Sequence, residues 1–398
     1  MTRRLVQLPR RAVLASTVLM LAMMITACSA GTTSAEPSGT PGSGHGAIVG
    51  AVEAAEPPLQ LLTVDADGAA GVLDLLDGTT ARIDGVARPE ALATDGRYVF
   101  ISTVGGVQIV DSGVWSWDHG DHFHYYRAPA RVIGLIPGAG PATVTTGPLS
   151  TAGSTAIVFS GGAEAVVLDN AALARGEIVE RFRVDAAAPV VVAPLGDGAA
   201  IARGGRLDIV GAAGETVTTG TGCRTPSGSI STRAGVVIGC AEGAMVIASA
   251  DAPPELVPFP GGAPALTDFD GRKGRPTVAA IAPDVGFWLL DARARSWELV
   301  PSPTALVRVV AVDDTDDHVV ALDADGRVRV FRDSAEAAVT EPLTADPAGS
   351  SLVVDGQRAY LNDAATGVVH EIDYADNARI ARALETPTAP TFFAEVGR

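Results

Sequence analysis

Apolar and polar positions alternate in short bursts along the chain, and the bursts come in pairs. YVFISTVGGVQIVD (98–111), AIVFSGGAEAVVLD (156–169) and VVALDADGRVRVF (319–331) place β-branched and apolar residues on both sides of a turn containing Gly or Asp. Period-two patterning fits a pleated strand, and Gly or Asp accepts the turn, so each unit reads as a β-hairpin. The same unit appears at 61–77, 199–210, 236–248, 277–291 and 359–373. No long segment shows helical periodicity, which makes the chain all-β.

The register of these units names the architecture. The glycines that open each second strand are Gly71, Gly106, Gly162, Gly205, Gly243, Gly286, Gly326 and Gly367, spaced by 35, 56, 43, 38, 43, 40 and 41 residues. A period near 40 built from hairpins predicts a β-propeller with four strands per blade. The count gives eight blades, or seven if one unit is irregular. No inner strand precedes Leu59 in the first unit, whereas PTFFAEV (390–396) is a spare extended run at the other end. A mixed first blade that takes its inner strand from the C-terminus would close the ring and remove an open edge. The propeller domain is therefore expected over 59–398, as a monomer.

The segment before it has another composition. Arg3, Arg4, Arg10 and Arg11 precede an apolar run from Ala12 to Ala27. That run is short for a membrane span of about 20 residues and reads as an export signal over 1–27. Ile25-Thr26-Ala27-Cys28 resembles the lipobox of bacterial lipoproteins. The resemblance implies lipidation at Cys28 and a protein held on the outer face of the cell membrane, with several acyl chains giving a stable anchor. An ordinary secretory signal is the alternative, and Arg10-Arg11 leaves export by the Sec or the twin-arginine route open. Residues 28–58 are mostly Ser, Gly, Thr, Pro, Ala and Glu, a composition that builds no core and predicts a disordered tether, with His45 alone in it.

Charge and cysteine usage narrow the function. Loss of the four signal arginines takes the formal charge from −17 to −21, which argues against nucleic acid and anionic lipid as partners. Cys223 and Cys240 are the remaining cysteines, and in an oxidising compartment they read as a disulfide, with two buried thiols as the alternative.

The step from Gly106 to Gly162 is the long one, and its excess carries the histidines. DHGDHFHYY (118–126) holds three of the six histidines of the chain, with Trp115 and Trp117 just before them. In the four-strand scheme this is a loop between the third and outer strands of the second blade. His122 and His124 are two apart, so in extended chain they share a side, and His119 can fold back to meet them. Three imidazoles make a nitrogen site for a borderline metal such as zinc, with Asp118 or Asp121 as further ligands or as acceptors that fix the tautomers. His370, in GVVHEID, is a candidate additional ligand or a hydrogen-bonded strand residue, and His318 after VDDTDD reads as a solvated turn. No G-x-S-x-G, no H-E-x-x-H and no phosphate-binding glycine loop is present, so no motif favours an enzyme.

HGDHFHYYR in a blade loop of an exported propeller resembles the AztD-type zinc metallochaperones. The cysteine segment GCRTPSGSISTRAGVVIGCAEG (222–243) and the ending RAYLNDAATGVVHEIDYADNARIAR (358–382) are similar to that family too. The resemblance implies a zinc-binding protein that hands its metal to the solute-binding protein of an ABC importer. A propeller enzyme (hydrolase, lyase or quinoprotein) and an interaction scaffold with a structural metal are the alternatives.

Overall fold

The computed structural model describes residues 46–48, 50–119, 121–261 and 266–398. The expected signal over 1–27, Cys28 and His45 lie outside the described residues. The strands sort into eight four-stranded antiparallel sheets and one three-stranded sheet. The eight follow one another along the chain as the blades of a β-propeller, in agreement with the spacing of the hairpin glycines.

Closure takes the expected form. Phe392–Val396 pairs with Gln60–Val64 in the register Gln60↔Val396 to Val64↔Phe392, so the first blade contains both ends of the domain. Arg379–Glu385 is the outer strand of blade eight.

Alternation within each blade explains the near-continuous apolar runs. In Tyr98–Thr103 of blade two, Val99 and Ile101 pack toward blade one with Leu62, Val72 and Val396. Tyr98 and Phe100 face the other way and pack toward blade three with Ile157, Phe159 and Leu168. The second strand of the blade, Tyr98–Thr103, is thus buried on both faces, as in any sheet held between two others. Equivalent clusters fill every junction between neighbouring blades, and Leu61, Leu73, Tyr360 and Phe393 join blade eight to blade one. Outer strands such as Arg379–Glu385 are largely exposed. The Cys223–Cys240 disulfide forms, with Cα atoms 5.0 Å apart, within the cluster that joins blades four and five.

One turn crosses the ring. Lys273, in the turn after Thr267–Asp270 of blade six, donates from Nζ to the carbonyl of Asp95 in blade two, 3.1 Å away. Blades two and six stand opposite each other in an eight-bladed ring, so this contact spans its centre. Neighbouring backbone in the same turn is tied to blade seven by Arg272 N–H to the Ala311 carbonyl and to blade five by Gly274 N–H to the Ser231 carbonyl. Beside it, Glu395 is fully buried, with Arg398 Nη2 2.8 Å from its Oε2.

Burial pushes the Glu395 carboxyl up from its ordinary 4.5 to about 8, outweighing the pull of Arg398. The folded chain therefore keeps a proton that the unfolded chain releases. The stability this contributes is complete below about pH 4.5 and is lost as the pH rises through about 8. The melting temperature is expected to fall from about pH 5 to about pH 8, and E395Q, which has no proton to lose, is expected to flatten that fall. Thermal melts of both proteins across that range check this, and parallel curves would contradict it.

Candidate metal centre

The excess residues of blade two form an element of their own. The third strand, Gly106–Asp111, and the outer strand, Arg131–Pro137, pair directly as in any blade. Between them the chain makes a hairpin, Val114–Asp118 with Phe123–Arg127. The insertion expected as a loop is thus a twisted ribbon, because Trp115, Trp117, His124 and Tyr126 already alternate with period two. Gly113 starts it at φ +78, and a Cβ there would stand 2.1 Å from the Ala128 carbonyl oxygen, so only glycine fits where the two legs diverge from the blade.

Cross-strand register decides which side chains share a face. Trp115 pairs with Tyr126 and Trp117 with His124, which puts all four on one face of the ribbon. Asp118, a candidate further ligand or tautomer-fixing acceptor, pairs with Phe123, and by pleating this pair falls on the face opposite His124. The turn is closed by the His119 N–H donating to the His122 carbonyl at 2.9 Å.

Three histidines converge at this tip. The ring centroids of His119 and His122 are 4.9 Å apart, those of His122 and His124 4.7 Å, and those of His119 and His124 5.9 Å. His122 Nε2 and His124 Nε2 are 2.9 Å apart. Asp121 Oδ1 lies 2.8 Å from His122 Nδ1 and 3.5 Å from His119 Nδ1. Ligand atoms of His119, Asp121 and His122 all lie within 4.8 Å of one another. The His122 contact holds the exposed Asp121 carboxyl below its ordinary range, so it is anionic at neutral pH.

A fifth residue completes the set. Val52–Ala54 adds a third strand to the ribbon, along Phe123–Arg127, in the register Val52↔Arg127, Glu53↔Tyr126 and Ala54↔Tyr125. Glu53 thereby shares the histidine face, and its Oε1 is 2.7 Å from His124 Nδ1. The stretch 28–58, expected to be disordered throughout, therefore contains a paired strand near its end. The reason is that Phe123–Arg127 offers an open edge for it to join. No pattern in the sequence marks Glu53, since three residues within AIVGAVEAAEPP show no periodicity.

This arrangement suits a metal. An imidazole whose Nδ1 donates to a carboxylate keeps its Nε2 lone pair for a ligand bond. Asp121 and Glu53 do this for His122 and His124, and the two Nε2 atoms then face each other. Two nitrogens bound to one tetrahedral ion at about 2.0–2.1 Å stand about 3.3 Å apart, close to the separation seen. His119 and Asp121 stand near enough to supply further ligands.

A column of stacked groups seats the ribbon on the propeller. Tyr126 stacks on Trp115 at 5.1 Å and under His124 at 6.4 Å. Beneath Trp115, Arg97 Cζ lies 3.9 Å from the ring, and the Arg97 guanidinium is paired with Asp111 through Nε–Oδ1 at 3.1 Å and Nη2–Oδ2 at 2.9 Å. Asp111 Oδ1 also accepts from Gly113 N–H at 3.1 Å, so one buried carboxylate holds both the arginine and the root of the ribbon.

The other candidates lie apart from this tip. His370 sits on the third strand of blade eight, between Leu361 and Ala383, half-buried, and burial lowers its pKa. Its side chain has a hydrogen bond with the Leu343 backbone. His318, expected in a solvated turn, is buried: its Nδ1 lies 2.7 Å from Asp314 Oδ2, and its N–H donates to Asp314 Oδ1.

No protein-family model and no curated protein sequence matches the chain. Solved structures do. Apo AztD from Citrobacter koseri superposes with a TM-score of 0.72 at 21% identity, over 87% of this chain and 98% of that one. The chain has the AztD fold. A second Citrobacter koseri AztD structure gives 0.71 at the same identity and coverage. The dihydro-heme d1 dehydrogenase NirN follows at 0.56 and 14% identity, over 86% of this chain and 76% of that one.

Proposed function

We propose that this chain is an extracytoplasmic zinc-binding lipoprotein that acts as a zinc metallochaperone, passing the ion to the solute-binding protein of an ABC importer. The observation that carries the reading is the facing pair His122 Nε2 and His124 Nε2, with a carboxylate on each Nδ1 and His119 beside them. The AztD fold, shared over nearly the whole of that protein, supports it. So does the resemblance of HGDHFHYYR at the tip to the AztD-type zinc metallochaperones.

The chemistry is ligand exchange. His119, Asp121 and His122 lie on an exposed turn at the end of a ribbon, so an incoming protein can approach the metal from the solvent side. Its ligands replace these one at a time, and no step leaves the ion without partners. Imidazole is a borderline ligand and suits zinc, while the carboxylates add the negative charge that a divalent ion favours. Cys28, lipidated, would anchor the chain to the outer face of the membrane, and the linker would present the ribbon to a neighbouring importer.

The test is a competition. Zinc-loaded protein is mixed with the apo solute-binding protein of a zinc importer, in the presence of a chelator that captures free ion. Zinc is expected on the partner faster than it dissociates into the chelator alone. Equal rates would remove the hand-off and leave the binding claim standing.

A further inference from the structure

The carboxylate that orients His124 does not belong to the propeller. Glu53 arrives from 71 residues earlier, on a three-residue strand held by three register pairs along the ribbon edge. Asp121, which does the same for His122, is built into the turn itself. The two are therefore unequal supports. One cannot leave without unfolding the tip, whereas the other rests on a short strand whose Val52 is 70% exposed. Short, exposed strands of this kind open at low free energy. Upstream of it, the Trp115 indole N–H donates to the Gly46 carbonyl at 3.1 Å, a second point at which the chain before the propeller touches the ribbon.

We infer that Glu53 is a positioning residue for the metal site and that docking of Val52–Ala54 controls how firmly the metal is held. This rests on the zinc-binding reading above. With the strand docked, Glu53 Oε1 takes the Nδ1 proton of His124 in a hydrogen bond, and Nε2 is aimed at His122 Nε2. With the strand withdrawn, His124 loses the carboxylate that fixes its tautomer and helps to aim its ring. A partner that displaces or captures the leader segment loosens one ligand without touching the metal. The segment that tethers the domain is thereby also its release lever.

Linkage makes the inference testable in two directions. If docking strengthens metal binding, metal binding strengthens docking by the same factor. E53A in the full mature chain is expected to weaken zinc affinity by about 10–100-fold, the usual effect of losing a carboxylate behind a metal-bound histidine. It is expected to speed zinc loss to a chelator and to shift the ligand-field bands of the cobalt-substituted protein. E53Q, which keeps an acceptor oxygen, is expected to recover part of the affinity. Hydrogen exchange at residues 52–54 is expected to slow when wild-type protein is loaded with zinc. If E53A and wild type share affinity, release rate and cobalt spectrum, or if exchange at 52–54 ignores zinc, the inference is overturned. Failure of the wild-type protein to take up zinc would instead overturn the binding reading itself.

Discussion

Zinc uptake is expected to vanish when His119, His122 and His124 are all replaced by alanine. Three nitrogen ligands leave at once, and Asp121 and Glu53 alone offer two exposed carboxylates, too few and too weak for a tight zinc site. The loss should exceed about a thousandfold in affinity, since each histidine contributes a ligand bond. Folding should be nearly untouched, because His119 and His122 are exposed on a turn and His124 lies on the ribbon, outside the clusters that join the blades. Isothermal titration of both proteins, with thermal melts as the control, reads the two effects apart. Single variants add detail. H122A and H124A should cost more than H119A, because their Nε2 atoms are the facing pair. Near-stoichiometric zinc uptake by the triple variant would place the metal elsewhere.

A large loss of stability is expected from R97A. Arg97 and Asp111 are a fully buried bidentate pair, with side-chain exposures of 1% and 3%. Removing one partner strands a charge in the core, at a cost of about 3–5 kcal/mol. The same change withdraws the cation from beneath Trp115 and with it the base of the column that carries Tyr126 and His124. Melting temperature should drop by several degrees, and zinc affinity should fall although Arg97 touches no metal ligand. R97M/D111L, which removes both charges, is expected to regain much of the stability. If the double variant is as unstable as R97A, the cost lies in lost packing and not in the unpaired carboxylate.

These two variants also mark where the sequence was readable. The propeller was legible because eight hairpins keep one register and each glycine at the start of a second strand repeats it, from Gly71 to Gly367. The closing strand was legible because FFAEV is apolar and unassigned while blade one lacks an inner strand. The histidine tip stood out through composition and through the overlong step. Its form was less plain, although Trp115, Trp117, His124 and Tyr126 carry the alternation of a ribbon. The Arg97 column depends on which residues meet across strands, and no spacing rule reports that. Glu53 was hidden for a simpler reason. A three-residue edge strand borrows its structure from its partner, so its own residues carry no pattern. Lys273 is similar: it lies in the polar turn DFDGRKGRP, and only the closed ring brings it to Asp95, 178 residues away in sequence.

The central claim is that one metal ion sits between His122 and His124 at the tip of the ribbon. Crystals of the zinc-loaded protein, measured on both sides of the zinc absorption edge, test it most directly. The expected result is a single strong anomalous peak at about 2.0–2.1 Å from both Nε2 atoms, with His119 or Asp121 drawn in as a further ligand. A peak elsewhere on the propeller, with these histidines unliganded, would contradict it.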